Sequence, residues 1–99
     1  MSDLPQILYY LESNKDRLKK EYHLTKIGVF GSLVKEDYND DSDIDLIVEF
    51  EVNTQNLYTL KKKLRHELQS TFSRSVDICR EKYLNPFFKS AVISEARYV

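Results

Sequence analysis

The chain has 99 residues, of which 41% are hydrophobic and 31% charged, a composition typical of one compact globular domain. Its formal charge of -1 and its pI of about 6.1 give no basic field of the kind that collects nucleic acid, which is disfavoured as a partner. A single cysteine, Cys79, excludes an intrachain disulfide. The sequence shows no signal-peptide pattern and no apolar run of membrane-spanning length. We therefore expect one cytoplasmic domain over residues 1–99, with no membrane partner.

The first predicted element is a long amphipathic helix. Apolar side chains recur at helical spacing over residues 4–22. Ser2 or Asp3 supplies the N-cap, and Pro5 is tolerated in the first turn. We expect the apolar face of this helix to pack on a flat surface.

A strand, a turn and a second strand follow. Residues 26–30 predict a short strand that ends at the glycine–serine pair 31–32. A brief helical turn is expected at residues 35–36, and residues 38–42 have the composition of a turn. Residues 43–50 give the clearest strand signal in the chain.

A second long helix is expected next, with Asn53 or Thr54 as its N-cap and an apolar stripe from Leu57 to Phe72. Residues 75–79 predict a third strand. The element order favours an α+β (α/β-like) domain in which a small mixed β-sheet packs against helices.

A short helix is predicted to close the fold. Asn85 followed by Pro86 is typical of an N-cap with proline at the first helical position. The side chains expected to be buried on this helix are Phe87, Phe88, Ala91 and Val92.

The strand at residues 43–50 begins with two acidic side chains. Successive side chains on a strand point to opposite faces, so Asp43 and Asp45 share one face with Cβ atoms roughly 6–7 Å apart. Two anions held so close repel each other and raise one pKa unless a cation offsets the charge. Carboxylate oxygens suit Mg²⁺ or Mn²⁺, and Mg²⁺ takes one or two protein carboxylates while phosphates and water complete its coordination. The pattern predicts a divalent metal site that acts on a phosphate-bearing substrate.

The phosphate side of this site is predicted at Gly31 and Ser32. Where a triphosphate presses against the backbone, a Cβ is an obstruction, and a helical turn that starts there offers free N–H donors. Ser32 adds a hydroxyl donor at the same point. If the third strand lies beside residues 43–50, Asp77 completes a three-carboxylate site for two metals. Asp77 can then help to deprotonate an attacking hydroxyl.

Three motifs thus stand in a fixed order along the chain. They are the pair Gly31-Ser32, the run Asp43-Ile44-Asp45 that opens Leu46-Ile47-Val48, and the later Val76-Asp77-Ile78. Together with the leading helix and the C-terminal stretch 84–99, they resemble the DNA polymerase β-like nucleotidyltransferases, and among these the minimal nucleotidyltransferase (MNT) family. The resemblance covers nearly the whole chain.

This resemblance implies a polymerase β-like palm fold and the transfer of a nucleoside monophosphate, AMP if the NTP is ATP, to a hydroxyl with release of pyrophosphate. It implies that Gly31 and Ser32 hold the triphosphate, that Asp43 and Asp45 bind two Mg²⁺ ions, and that Asp77 binds the catalytic metal and assists the nucleophile. Such proteins resemble the antitoxins of HEPN/MNT toxin–antitoxin pairs, which adenylylate a tyrosine of the HEPN ribonuclease toxin. Because the catalytic unit uses nearly the whole chain, we expect a partner protein or another subunit to hold the acceptor.

The chain departs from its relatives just after the glycine–serine pair. Many relatives carry Arg-Gly where this chain has Lys35-Glu36; Lys35 keeps the charge of this nucleotide-binding position but lacks the bidentate fork of arginine. Two alternatives stay open: a binding module that neutralises its partner by occlusion, and an enzyme acting on a small molecule such as an aminoglycoside. A calcium-binding loop is disfavoured, because Ser42 and Val48 stand where glycine and glutamate are required. The charge run 61–65 is interpreted as a solvated helix face.

Overall fold

Four strands form one sheet in the computed structural model, which describes residues 3–35 and 43–99. They are Leu24–Phe30 (β1), Ile44–Phe50 (β2), Val76–Arg80 (β3) and Arg97–Tyr98 (β4). Their spatial order is β3-β2-β1-β4. β2 runs antiparallel to β1 and parallel to β3, and β4 runs antiparallel to β1. The sheet is therefore small and mixed, as predicted.

The helices pack mainly on one face of this sheet. They are Leu4–Ser13 (α1), Lys15–Tyr22 (α2), Leu57–Phe72 (α3) and Pro86–Glu95 (α4), and 3-10 turns lie at Gly31–Leu33 and Glu81–Tyr83. Alternate residues of β2 enter the core, because side chains on a strand alternate between faces. The core cluster contains Ile44, Leu46, Val48 and Phe50 of β2 together with apolar residues of α1, α2 and α3. The predicted apolar face of this strand is confirmed.

The predicted first helix is two helices. Asp3 caps α1, its side chain accepting a hydrogen bond from the Gln6 N–H while the Gln6 side chain accepts one from the Asp3 N–H. The chain leaves helical geometry at Asn14, where φ is -110° and ψ is 10°. The Asn14 backbone N–H keeps the helical bond to the Tyr10 carbonyl, but the Asn14 side chain donates to the same carbonyl, a local side-chain bond of the kind by which asparagine competes with helical bonding. The prediction of one helix over residues 4–22 is therefore wrong at this position.

The start of α3 also differs from the prediction. The helix begins at Leu57, and its N-cap is Asn56, in a left-handed conformation without a side-chain capping bond. Thr54 instead bonds the carbonyl of Glu51 in the preceding turn, so neither Asn53 nor Thr54 is the cap. The apolar stripe is confirmed, with the C-terminal part of α3 fully in the core.

Helix α4 is capped as predicted, but it is not buried as predicted. The side chain of Asn85 accepts a hydrogen bond from the Phe87 N–H, and Pro86 occupies the first helical position. The side chains of Phe87 and Phe88 are 88% and 59% exposed, and Ala91 is exposed as well. The expectation that these three residues are buried is wrong.

The strands differ from the predictions at their ends. β1 starts at Leu24, two residues before the predicted start, and β4 was not predicted. A Cβ on Gly28 would lie 2.9 Å from the Arg97 carbonyl oxygen and 3.0 Å from Cδ1 of Tyr98, so the glycine allows β4 to approach β1.

The carboxylate of Glu67 connects three helices through hydrogen bonds and an ion pair. Glu67 of α3 accepts hydrogen bonds from the hydroxyls of Tyr10 and Tyr22 at 3.0 and 2.8 Å and pairs with Arg17 at 2.8 Å.

Within the described residues, no helix is both long and apolar enough to cross a bilayer. Residues Ser2 and Glu36 and the predicted turn at 38–42 lie outside the described ranges.

Candidate functional site

The parallel pairing of β2 and β3 brings two of the predicted site residues together. Asp45 and Asp77 are direct cross-strand partners in this ladder. Neighbouring strands lie about 4.8 Å apart, so two carboxylates on the same face of adjacent strands are close neighbours. Asp43 immediately precedes β2 and is exposed. The strand that contains Asp77 therefore lies beside residues 43–50, as its predicted role requires.

The carboxyl of Asp45 has a raised pKa, and burial and the charge of Asp77 contribute to it. Burial raises the pKa of this carboxyl above its usual range, and the charges of Asp77 and Asp43 raise it further. Asp77 and Asp43 therefore both lie within electrostatic reach of Asp45. The arrangement stores repulsion that a bound cation would relieve.

The glycine of the predicted phosphate turn touches the same carboxylate. Gly31 follows Phe30, which is the cross-strand partner of Asp45, and it has a φ of +79°. A Cβ added at Gly31 would collide with Oδ2 of Asp45 and would lie 3.1 Å from its Cγ. Glycine is thus required both by the left-handed backbone and by the close approach of the acidic side chain.

The chain turns sharply after this glycine. The backbone N–H groups of Val34 and Lys35 both donate to the Gly31 carbonyl at 3.2 Å. The amides of Ser32 and Leu33 precede these bonds, and the first N–H groups of a helical turn have no acceptor within the turn itself. The turn is therefore of the kind that can offer backbone N–H groups to an anion, and Ser32 is partly exposed in it.

The sequence matches a model of the nucleotidyltransferase domain over residues 11–99. The chain belongs to this family.

Two relatives that align over the full length of this nucleotidyltransferase are named as protein adenylyltransferases. The chain is 30% identical to the protein adenylyltransferase MntA of Thermococcus cleftensis over 99 residues, which cover 100% of this chain and 98% of the relative. It is also 30% identical, over all of both chains, to a Methanocaldococcus jannaschii protein named "Putative protein adenylyltransferase MJ1379".

Solved structures agree with the fold. A "putative minimal nucleotidyltransferase" superposes with a TM-score of 0.79 at 28% identity, over 96% of this chain and 94% of the other. A toxin–antitoxin crystal structure with AMP-PNP superposes with a TM-score of 0.67 at 21% identity, over 88% of this chain and 70% of the other. The nucleotidyltransferase fold predicted from the motifs is confirmed, and the protein is an enzyme of this class.

The donor set of this nucleotidyltransferase suits a hard divalent cation, because it consists of carboxylate oxygens. Among the described residues, no three acidic, histidine or cysteine side chains are already grouped so that they could hold a metal ion alone. Mg²⁺ commonly takes only one or two protein carboxylates and completes its shell with substrate phosphates and water. The aspartate pair therefore fits a metal that arrives with a nucleotide, while a preformed cage is not seen in the described residues.

Two residues near the site were not predicted. Glu95 of α4 pairs with Lys35, with 3.6 Å between Nζ and the carboxylate, so the lysine assigned to the nucleotide points towards a carboxylate. Lys61 was placed on a solvated face, but it is partly buried in a cleft that also contains Asp77. No sequence signal could find either, because both depend on how α3 and α4 meet the sheet.

Proposed function

We propose that this protein is a Mg²⁺-dependent protein adenylyltransferase that transfers AMP from ATP to a tyrosine hydroxyl of a HEPN-type toxin, and so acts as the antitoxin. The observation that carries the proposal is the contact network in which Gly31 abuts Asp45 and Asp45 pairs with Asp77. It brings the turn at Gly31, which we propose binds phosphate, next to neighbouring carboxylates. We take residues 1–99 as one catalytic domain.

Each residue then has a distinct task. The amides of the turn at Gly31 and the hydroxyl of Ser32 bind the triphosphate tail, and Lys35 adds a positive charge after it leaves Glu95. Asp43, Asp45 and Asp77 would hold the metal, one ion or two, with Mn²⁺ as a substitute for Mg²⁺. When bound, the metal supplies charge neutralisation to the phosphates.

The proposed transfer is a single displacement at the α-phosphorus of ATP. The acceptor oxygen forms a bond to the α-phosphorus of ATP, and the bond from that phosphorus to the oxygen bridging to the β-phosphate breaks. Pyrophosphate leaves with the bonding electron pair. Asp77, which is exposed on the edge strand β3 of the described sheet, accepts the proton of the hydroxyl and returns it to solvent.

The relatives support this choice of reaction and partner. The name of the Thermococcus cleftensis relative is that of a protein adenylyltransferase, and it aligns over the full length of this chain. A structurally similar chain comes from a toxin–antitoxin complex with AMP-PNP, an ATP analogue. A protein acceptor and an adenine nucleotide are therefore the first substrates to test.

The test is label transfer. The protein is incubated with α-labelled ATP, Mg²⁺ and a HEPN-type toxin protein, and labelled residues are identified by mass spectrometry. We expect AMP on a tyrosine, with the rate reduced about 100-fold or more in Asp45→Asn and Asp77→Asn. Asp16→Asn, on the exposed side of α2, is the matched control and should retain full activity. Full activity in both site variants would contradict the proposal.

A second candidate is a non-catalytic antitoxin that neutralises its partner by occlusion. It is favoured by the engagement of Lys35 with Glu95 and by the exposed aromatic side chains of Phe87 and Phe88 on α4. The same Asn variants separate the two functions. Neutralisation that survives intact in Asp45→Asn indicates occlusion, and neutralisation lost with label transfer indicates catalysis.

A further inference from the structure

A cleft of about 630 Å³ lies beside β3 and contains one of the site carboxylates. β3 lines it from Asp77 to Arg80, α3 contributes Tyr58 and Lys61, and Tyr83 stands on the far side. Clefts of about 460 and 730 Å³ on other described surfaces contain none of the predicted site residues. The cleft beside β3, here called the edge cleft, reaches the candidate site at Asp77.

The strand that lines the edge cleft has a free side. β3 is an edge strand of the described sheet and pairs only with β2. The Ser75 carbonyl accepts a bond from the Ile44 N–H on the β2 side, whereas the Val76 N–H turns outward to the Gln69 side chain. Backbone groups alternate in direction along a strand, so those of Ile78 also face outward. Such an edge can accept an added strand from another polypeptide.

The order of the strands separates the two sides of the reaction. Gly31 ends β1, Asp45 lies on β2 and Asp77 lies on β3, so the phosphate turn and the edge cleft flank Asp45 from opposite sides. A nucleotide held at the turn leaves the β3 side open. The group that attacks it has access past Asp77.

The edge cleft also carries a cation without a described partner. Lys61 is half-buried, and it forms no ion pair with any carboxylate in the ranges 3–35 and 43–99. It lines the same cleft as Asp77. A half-buried, unpaired ammonium favours an anionic group in the occupant.

The rims of the edge cleft are aromatic. Tyr58 is 79% exposed and Tyr83 is 71% exposed, and the guanidinium of Arg80 lies 4.9 Å from the ring centre of Tyr83. Exposed aromatic rings with a polar tip are typical of protein-binding surfaces. Two such rings beside an open strand edge suit a peptide backbone with side chains on either side.

We propose that the edge cleft binds an extended segment of the acceptor protein, which adds a strand to β3, presents its hydroxyl at Asp77 and places an acidic side chain near Lys61. The proposal rests on the proposed function for the reaction that follows, but binding itself does not require turnover. Main-chain hydrogen bonds would supply affinity, and the charge at Lys61 would supply selectivity.

The test uses NMR and a defined probe. The ¹⁵N-labelled full chain is titrated with a blocked peptide of sequence Thr-Val-Glu-Tyr-Val-Thr up to millimolar concentration. We expect shifts of the amides of Ile78, Arg80 and Lys61, with little change on α1. Absence of shifts at millimolar peptide, or shifts centred elsewhere, would overturn the proposal. Shifts of the same amides by an aminoglycoside and not by the peptide would also overturn it.

Charge reversal sharpens this test. Lys61→Glu should weaken peptide binding about fivefold, the scale of one partly screened charge pair. A peptide with lysine in place of glutamate should recover that loss. Lys62→Glu, one residue along α3 and outside the edge cleft, is the matched control and should bind like the wild type. Equal weakening in both variants would overturn the proposal.

Failure of the peptide-binding proposal can be distinguished from failure of the proposed adenylyltransferase function. Peptide binding at the edge cleft without label transfer from ATP would sustain the binding site and contradict the adenylyltransferase. Label transfer that is indifferent to Lys61→Glu, together with no peptide shifts, would sustain the enzyme and overturn the acceptor cleft.

Discussion

Replacing Asp45 by asparagine should stabilise the fold while removing activity. Asp45 and Asp77 are cross-strand partners, and two like charges about 4.8 Å apart, the spacing of neighbouring strands, repel by about 3.5 kcal/mol at an effective dielectric constant of about 20. Both side chains retain some contact with solvent, which reduces this repulsion to on the order of 1–2 kcal/mol. For a domain of this size that corresponds to a Tm increase of about 4–8 °C per kcal/mol.

The pH dependence gives the sign of the effect. The pKa of Asp45 is raised in the folded state, so the penalty is fully present above the folded pKa. It fades as the pH falls and is absent below the unfolded value of about 3.9. Asp45→Asn should therefore be more stable than the wild type at pH 7 and equally stable near pH 3.

The assay is urea unfolding at both pH values, repeated at pH 7 with Mg²⁺ and a non-hydrolysable ATP analogue. Ligand binding to the native state should stabilise the wild type and have little effect on the variant. Asp16→Asn, remote from the site, should change stability by less than about 0.5 kcal/mol. If Asp45→Asn is less stable than the wild type at pH 7, or if its advantage persists at pH 3, the reasoning about charge repulsion is refuted.

Three further substitutions probe the turn and the core. Gly31→Ala should lower kcat about 100-fold, because its Cβ would displace the Asp45 carboxylate; steady-state transfer kinetics check this, and an unchanged kcat would show that the contact is irrelevant. Glu95→Gln should tighten ATP binding about twofold to fivefold in calorimetry by releasing Lys35, and weaker binding would contradict that release. Glu67→Gln should cost about 1–3 kcal/mol of unfolding free energy at pH 7. The Arg17 pair lowers the pKa of Glu67, so this cost should shrink as the pH falls below about 4, and a loss independent of pH would exclude the charge as its cause.

The sequence predicts which side chains share a strand face better than it predicts where the elements begin and end. The motifs carry the site because residue types at fixed spacing determine which side chains share a strand face, as with Asp45. Whether Asp77 lies beside Asp45 depends on which strand pairs with β2 and in what register. The local sequence pattern does not determine this pairing. The parallel ladder between β2 and β3 supplies the missing register.

The mistakes have physical causes. Asn14 breaks the first helix because its side chain offers the backbone an alternative partner, a choice that apolar periodicity does not report. Phe87 and Phe88 were expected to be buried because they are apolar, but burial requires an opposing surface, and α4 meets little of the described core. β4 was missed because two residues held by backbone pairing leave no pattern.

The parallel pairing of β2 with β3 also links function to folding. Asp45 and Asp77 are separated in the chain by the whole of α3, so their pairing is a non-local contact. Such pairing carries a loop-closure cost and tends to come late in folding. We therefore expect a nascent or partly folded chain to lack the pairing of Asp45 with Asp77, and with it any activity that depends on both residues.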